Sequence, residues 1–239
     1  MNNIVIGIPT YKRPKMLKKL ILGIYNCHLE QNLISSINIL VVDNDVKQTA
    51  KNISLELQND CPKGFSFSYI GFPQKGLSYV RNEILDKALA LNPDLIAFID
   101  DDEYPSPNWL VELITTLELN DADIVLGPVT PVFEEGINAH FGSLFEKKEF
   151  VNNTKINFIS TGNLILKTGF IQKHGLRFDK RFNETGGEDT YFGIQALQNQ
   201  ANIYWASKAI VYEQIPRQRA TLKWLLKRTY RSATTYTYI

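Results

Sequence analysis

Short apolar runs that alternate with helical patterns predict an α/β protein with a mostly parallel central sheet and helices on both faces. Three observations carry this. Four strand-like runs in the first hundred residues each pass into a stretch of helical periodicity, which is βαβ order. The runs are continuously apolar, as in strands covered on both faces. Polar and charged residues collect where the runs end, on the edge where such sheets bind ligands.

NIVIGIP is the first strand, and PKMLKKLILGIYN follows with Met16, Leu17, Leu20, Ile21 and Ile24 at helical spacing. SINILVVD is the second strand, with a weaker helical pattern from Lys47 to Gln58 after it. FSFSYIGF is the third, LSYVRNEILDKALAL a helix by propensity and spacing, and LIAFID the fourth strand. Ser106 and Pro107 offer an N-cap and an N1 proline for a helix through Leu119. Beyond about Asn120 the rhythm changes. ADIVLGPVTPVF and INFISTGNLILKTGF read as strands, NETGGEDTYFGIQALQ as a loop entering a helix, and NIYWAS and AIVYEQIP as two short strands. This half is expected to be mixed and to extend the same sheet. The best boundary is near Glu103, as a functional division more than a flexible joint.

The 239 residues fit one large domain or two fused halves. A hydrophobic content of 44% supplies a sizeable core, and a net charge of +1 gives no global field towards nucleic acid. Cys27 and Cys61 form no CxxC and read as free thiols of a reducing compartment. The chain opens directly on a strand pattern, and no apolar run approaches the roughly 20 residues of a spanning helix. A cytoplasmic protein is expected, or one on the cytoplasmic face of the inner membrane.

LIAFIDDDEYP drives five apolar residues, Leu95 to Ile99, into four acidic ones, Asp100 to Glu103. Carboxylates this close raise each other's pKa unless a cation or strong donors share the site. An isolated acidic run would be a solvated turn. Here Asp43 lies at a second strand end and Pro9, Thr10 and Tyr11 at a third, and this convergence favours a site. Neither GxGxxG nor GxxxxGK[ST] occurs, so glycine amides do not cradle a phosphate in those ways. A divalent cation holding a diphosphate is the alternative, and Mg²⁺ typically takes one or two carboxylates plus substrate phosphates and water.

IVIGIPTYKRP, ILVVDND, KGLSYVRNEIL, FIDDDEYP, STGNLIL and GGEDTYF occur in the order found in glycosyltransferase family 2, and the chain resembles that family over nearly its whole length. The resemblance implies the GT-A fold and an inverting, metal-dependent transfer of a sugar from a nucleoside-diphosphate donor, UDP-linked, to a hydroxyl of a glycan or lipid-linked acceptor. Residues 1–103 would be the nucleotide-sugar-binding half, 104–214 the acceptor-binding and catalytic half, and 215–239 a basic amphipathic C-terminal helix. Pro9, Thr10 and Tyr11 match the first nucleotide loop, with Arg13 beside it. Asp43 matches a contact to uracil or ribose, and Arg81 a basic residue near base or diphosphate. Asp100 and Asp102 match the ends of the DxD motif, Asp102 as the direct ligand of Mn²⁺ or Mg²⁺ and Asp100 and Asp101 nearer the ribose. Gly162 and Asn163 match the strand lining the sugar and acceptor pocket, where Glu188 also falls. Asp189 matches the aspartate of the ED pair, the family's general base, a role worth about 10²–10⁴-fold. Where some relatives carry a metal-binding histidine, this chain offers Glu213, whose oxygens suit the same ions.

Several residues have plainer readings. Asp189 suits the first turn of any helix, Asp43 a helix cap, Arg81 a pair with Glu83 or Asp86, and Thr10 a turn. Lys12, Arg13 and Lys75 read as solvated, with one of them free to touch phosphate. Trp109 reads as core, and His28, His140 and His174 as structural or surface residues. Rival functions are a nucleotidyltransferase, disfavoured because PTYKRP lacks glycine, and a non-catalytic sugar-nucleotide-binding protein.

The tail differs in charge. Arg217, Arg219, Lys223, Lys227, Arg228 and Arg231 face no acid after Ile215, which leaves the body at −5 and the tail at +6. On a helical wheel Arg219, Lys223, Lys227 and Arg231 form a basic stripe opposite Leu222, Leu225 and Leu226. That pattern suits an anionic membrane surface, or the leucines dock on the domain.

Overall fold

The computed structural model describes residues 1–134, 143–145 and 149–238. His140 lies outside them, as does the side chain of Arg231. The parallel half follows the sequence pattern: β1 (Asn2–Thr10), α1 (Pro14–Tyr25), β2 (Ile34–Asp43), α2 (Lys51–Asn59), β3 (Phe65–Gly71), α3 (Leu77–Ala90) and β4 (Leu95–Ile99). Side chains of a strand alternate between faces, and β1 shows it. Ile4, Ile6 and Ile8 join the core under α1, while Val5 joins the core under α3. At Gly7 the helix α3 comes so close that an added Cβ would overlap the Ile84 side chain.

After β4 come β5 (Glu103–Pro105), α4 (Trp109–Leu119), β6 (Ile124–Leu126), β7 (Val129–Phe133), β8 (Thr154–Lys155), β9 (Asn163–Lys167), α5 (Thr168–His174), α6 (Glu188–Gln198), β10 (Ile203–Trp205), β11 (Val211–Ile215) and α7 (Leu222–Tyr238). The large sheet runs β3-β2-β1-β4-β9-β6-β10-β8. Its first four strands are parallel, and β9 is inserted antiparallel between β4 and β6, with Ile99 opposite Asn163. The second half is thus mixed and continues the same sheet. A small sheet, β5-β11-β7, stands beside it and sets Glu213 opposite Glu103.

Three expectations change. ADIVLGPVTPVF is two strands, because at Gly127-Pro128, where proline lacks an N–H for a ladder, the chain passes from one sheet to the other. In INFISTGNLILKTGF only Asn163–Lys167 is strand, and Thr168 opens α5. The helix after β5 begins at Trp109, whose amide closes a turn on the Ser106 carbonyl at 3.0 Å, so Pro107 sits in the turn and not at N1.

Candidate active site

The carboxyl ends of β1 and β4 and the start of α6 surround a cleft of about 980 Å³. Pro9, Thr10, Tyr11 and Arg13 form one wall, Asp100 to Asp102 the floor, and Gly186 to Thr190 another wall. Glu213 and the tail residues Arg219, Trp224, Lys227 and Arg228 complete the lining.

The acidic run is neutralised by arginines. Arg13 Nη1 donates to Asp101 Oδ1 at 2.8 Å and to Asp102 Oδ2 at 2.9 Å. Arg219 Nη1 donates to the same Asp102 oxygen at 2.9 Å and lies 4.0 Å from Glu213 Oε1. Arg81, buried beneath the floor, pairs with Glu188 and donates to Asp100 Oδ1 at 3.3 Å, not to Glu83 or Asp86. Burial alone would depress the Arg81 pKa, but Asp100, Glu188 and Asp189 outweigh it and hold the guanidinium charged.

Environment separates the acids. Asp101 accepts from Thr10 Oγ1 at 2.8 Å and from the Tyr11 amide at 3.3 Å, yet burial raises its pKa to about 6 against the pull of Arg13. Burial also raises Asp100, aided by Asp102 and opposed by Arg81. Glu103 points inward. Its Oε2 accepts from the Asp100 amide at 3.0 Å, and burial beside Asp100 and Glu213 pushes its pKa well above the usual range. A Cβ on Gly162 would lie 2.5 Å from Glu103 Oε1, so Gly162 is the space that admits this side chain.

The ED pair divides by direction. Successive helix residues point about 100° apart. Glu188 is buried against Arg81, and its pKa is raised by burial despite that partner. Asp189 is half-buried, lines the cleft and accepts from the Thr190 amide at 2.7 Å. Gly186 and Gly187, at φ 79° and 95°, make the turn that starts α6 at this point.

Four predicted site residues do not line this cleft: Arg81 beneath its floor, Asp43, Asn163 and Gly162. Asp43 is fully buried, and its oxygens accept from the amides of Asp45 and Ala50 and from Tyr69 Oη at 2.9–3.1 Å. It organises the β2–α2 loop, and Asn44 reaches the cleft in its place. Asn163 is a buried clamp. It accepts from Trp109 Nε1 at 2.7 Å and donates to the carbonyls of Pro128 and Ala209. It borders a second cavity of about 490 Å³ near Phe150, Phe158 and Trp205, and Gly162 packs on Glu103. Trp109 is core as expected, His28 is exposed and bonded to Asn108, and His174 rests on Phe170. Sequence reasoning missed Asn44, Asn183, Thr185 and Trp224 on the cleft wall.

Among the described residues no group of three or more His, Cys, Asp or Glu side chains could hold a metal ion. Asp102 and Glu213 both line the cleft, and one or two carboxylates are a protein's usual share of a Mg²⁺ site where a substrate diphosphate supplies further oxygens. The oxygen chemistry of these two side chains fits Mn²⁺ or Mg²⁺.

An α/β sheet with an acidic β4 end facing an ED-headed helix is the architecture of GT-A transferases. The family model described as Glycosyl transferase family 2 matches residues 5–178, and the chain belongs to that family and is a glycosyltransferase. It is 31% identical over 245 aligned residues to the succinoglycan biosynthesis protein ExoM of Rhizobium meliloti (strain 1021), covering 98% of this chain and 74% of that one. Chondroitin synthase of Escherichia coli is 22% identical, over 90% of this chain and 35% of its own. Crystal structures of S. aureus TarS 1-349, alone and in complex with UDP-GlcNAc, match at TM-scores of 0.67 and 0.68 with 18% and 17% identity. They cover 89% of this chain, which spans 60% and 58% of theirs. Family membership sets aside the nucleotidyltransferase reading.

Proposed function

We propose that the protein transfers a sugar, with inversion, from a UDP-linked donor to a hydroxyl of a glycan or lipid-linked acceptor in bacterial surface polysaccharide synthesis. The observation that carries the chemistry is the split of the ED pair, Glu188 committed to Arg81 and Asp189 turned into the cleft opposite Asp100 to Asp102. The names of ExoM and of the UDP-GlcNAc complex of TarS support a polysaccharide product and a uridine donor.

Thr10, Tyr11 and Asn44 line the cleft and would meet the nucleoside, and Asp100 and Asp101 its ribose. Asp102, with Glu213 beside it, would hold Mn²⁺ or Mg²⁺ together with the donor diphosphate, and the ion's charge when bound favours the departing diphosphate. Asp189 takes the acceptor proton as its oxygen attacks the anomeric carbon. One displacement needs no second carboxylate as nucleophile, unlike a retaining glycosidase.

The test is Asp189→Asn. UDP binding by calorimetry should be unchanged, while transfer to acceptor falls by about 10²-fold or more. Near-normal transfer by this variant would remove Asp189 from the role of base.

The tail adds a location. Leu222, Leu226 and Tyr230, at steps of four along α7, are 61–71% exposed, and Lys223 and Lys227 are exposed beside them. An apolar stripe edged with lysines suits the surface of an anionic membrane, where lipid-linked acceptors reside. We place the enzyme peripherally on the cytoplasmic face on this ground. Among the described residues no helix is long and apolar enough to cross a membrane.

A further inference from the structure

Arg219 is out of place for a membrane stripe. It precedes α7, in a turn closed on the Pro216 carbonyl at 2.9 Å, directly after the buried end of β11. Its guanidinium reaches into the cleft, donates to Asp102 and lies near Glu213. Those are the two carboxylates assigned above to a divalent cation. Its guanidinium carbon also lies 5.9 Å from the Trp224 ring, which is shared with Arg228 at 5.3 Å. Trp224 in turn stacks on Phe145 at 5.9 Å and 16°. The start of the tail is therefore held at the cleft through one indole, whose ring lies near two guanidinium groups and stacks on Phe145.

We infer that Arg219 is a mobile counter-ion. In the empty enzyme it holds Asp102 and keeps divalent cations off that carboxylate. When donor and metal enter together, it leaves Asp102 and pairs with the donor diphosphate. The inference rests on the nucleotide-sugar reading of the cleft. The physical argument is repulsion between cations that compete for one carboxylate. Asp102 Oδ2 already accepts from two guanidinium groups. A third cation at that carboxylate would be repelled, and at close range and low dielectric such repulsion is large. Arg13 is fastened to Asp101 as well, while Arg219 stands on a turn and, among the described residues, has Glu213 at 4.0 Å as its further carboxylate. Arg219 is thus the one able to leave. A diphosphate arriving with the metal brings acceptor oxygens to the same cleft, and guanidinium pairs with phosphate in a fork. Lys227 and Arg228 line the cleft on the same side and continue that cationic wall.

The two halves of the inference predict effects of opposite sign, which a merely structural arginine would not produce. Mn²⁺ alone, followed by electron paramagnetic resonance, should bind Arg219→Ala about tenfold more tightly than the wild type. UDP in the presence of Mn²⁺, followed by calorimetry, should bind Arg219→Ala about tenfold more weakly. Arg219→Lys should return both values towards the wild type, and Arg219→Gln should behave as the alanine variant, which guards against a folding artefact. UDP with Mn²⁺ should also change the tryptophan fluorescence of the wild type, and this change should be absent in Trp224→Phe. Unchanged Mn²⁺ binding in Arg219→Ala overturns the counter-ion, and unchanged UDP binding overturns the transfer to diphosphate. If the wild type binds no nucleotide at all, the donor-site reading fails, and the Mn²⁺ arm alone still decides whether Arg219 guards Asp102.

Discussion

At the scale of single residues the site is a set of carboxylates given different jobs by what surrounds them. Asp101 shows the cost. Its pKa rises from 3.8 to about 6, with its side chain 6% exposed. The fold therefore prefers the protonated form. That contribution is complete below pH about 4 and is lost as pH rises through about 6. At ~1.4 kcal/mol per pKa unit the change is on the order of 3 kcal/mol. Urea unfolding of Asp101→Asn and wild type at pH 4 and pH 8 should show the variant gaining up to that amount relative to wild type at the higher pH. An equal difference at both pH values would mean that Asp101 titrates normally. The same scale explains why Asp43 and Asn44 exchange places. Side chains at a strand end alternate, so of two adjacent polar residues one turns into the core and the other to the cleft. The sequence marks the pair as special without saying which is which.

At the scale of elements, legibility followed the origin of each signal. The first four strands and three helices were readable because period and continuous apolarity are local. The strand β9 was blurred because its partners β4 and β6 are distant and its length is set by them. The spacing of its basic residues predicts the tail as one helix with a basic stripe through Arg219. In the structure the helix begins at Leu222, and Arg219 is drawn away by Asp102, a contact between residues 117 positions apart that no local pattern announces. Nor do the leucines dock as a set, since Leu222 and Leu226 are exposed and Trp224 and Leu225 are the half-buried pair. Co-sedimentation with anionic vesicles tests what this face does. Intact protein should bind at low salt and be released as salt rises. Replacing Leu222, Leu226 and Tyr230 by serine should abolish binding while leaving Arg219 and the cleft in place. Failure of the intact protein to bind even at low salt would return the tail to the single role of covering the cleft.

At the scale of the whole molecule, the position of β9 reaches beyond catalysis to how the chain is made. The strand β4 is LIAFI, buried throughout in the finished sheet. While the chain is being synthesised its second neighbour does not yet exist, and it arrives only when residues 163–167 emerge. At roughly 5–20 residues per second this is a wait of seconds. During it, a greasy strand stands at the open edge of a nascent parallel sheet, the kind of surface that recruits other strands. A chain stopped after Glu103 should remain in that condition permanently, and light scattering should find it aggregated where the chain through Gln214 stays dispersed. Substitutions that slow the arrival of residues 163–167 should lower the protein's yield without touching the activity of the molecules that succeed.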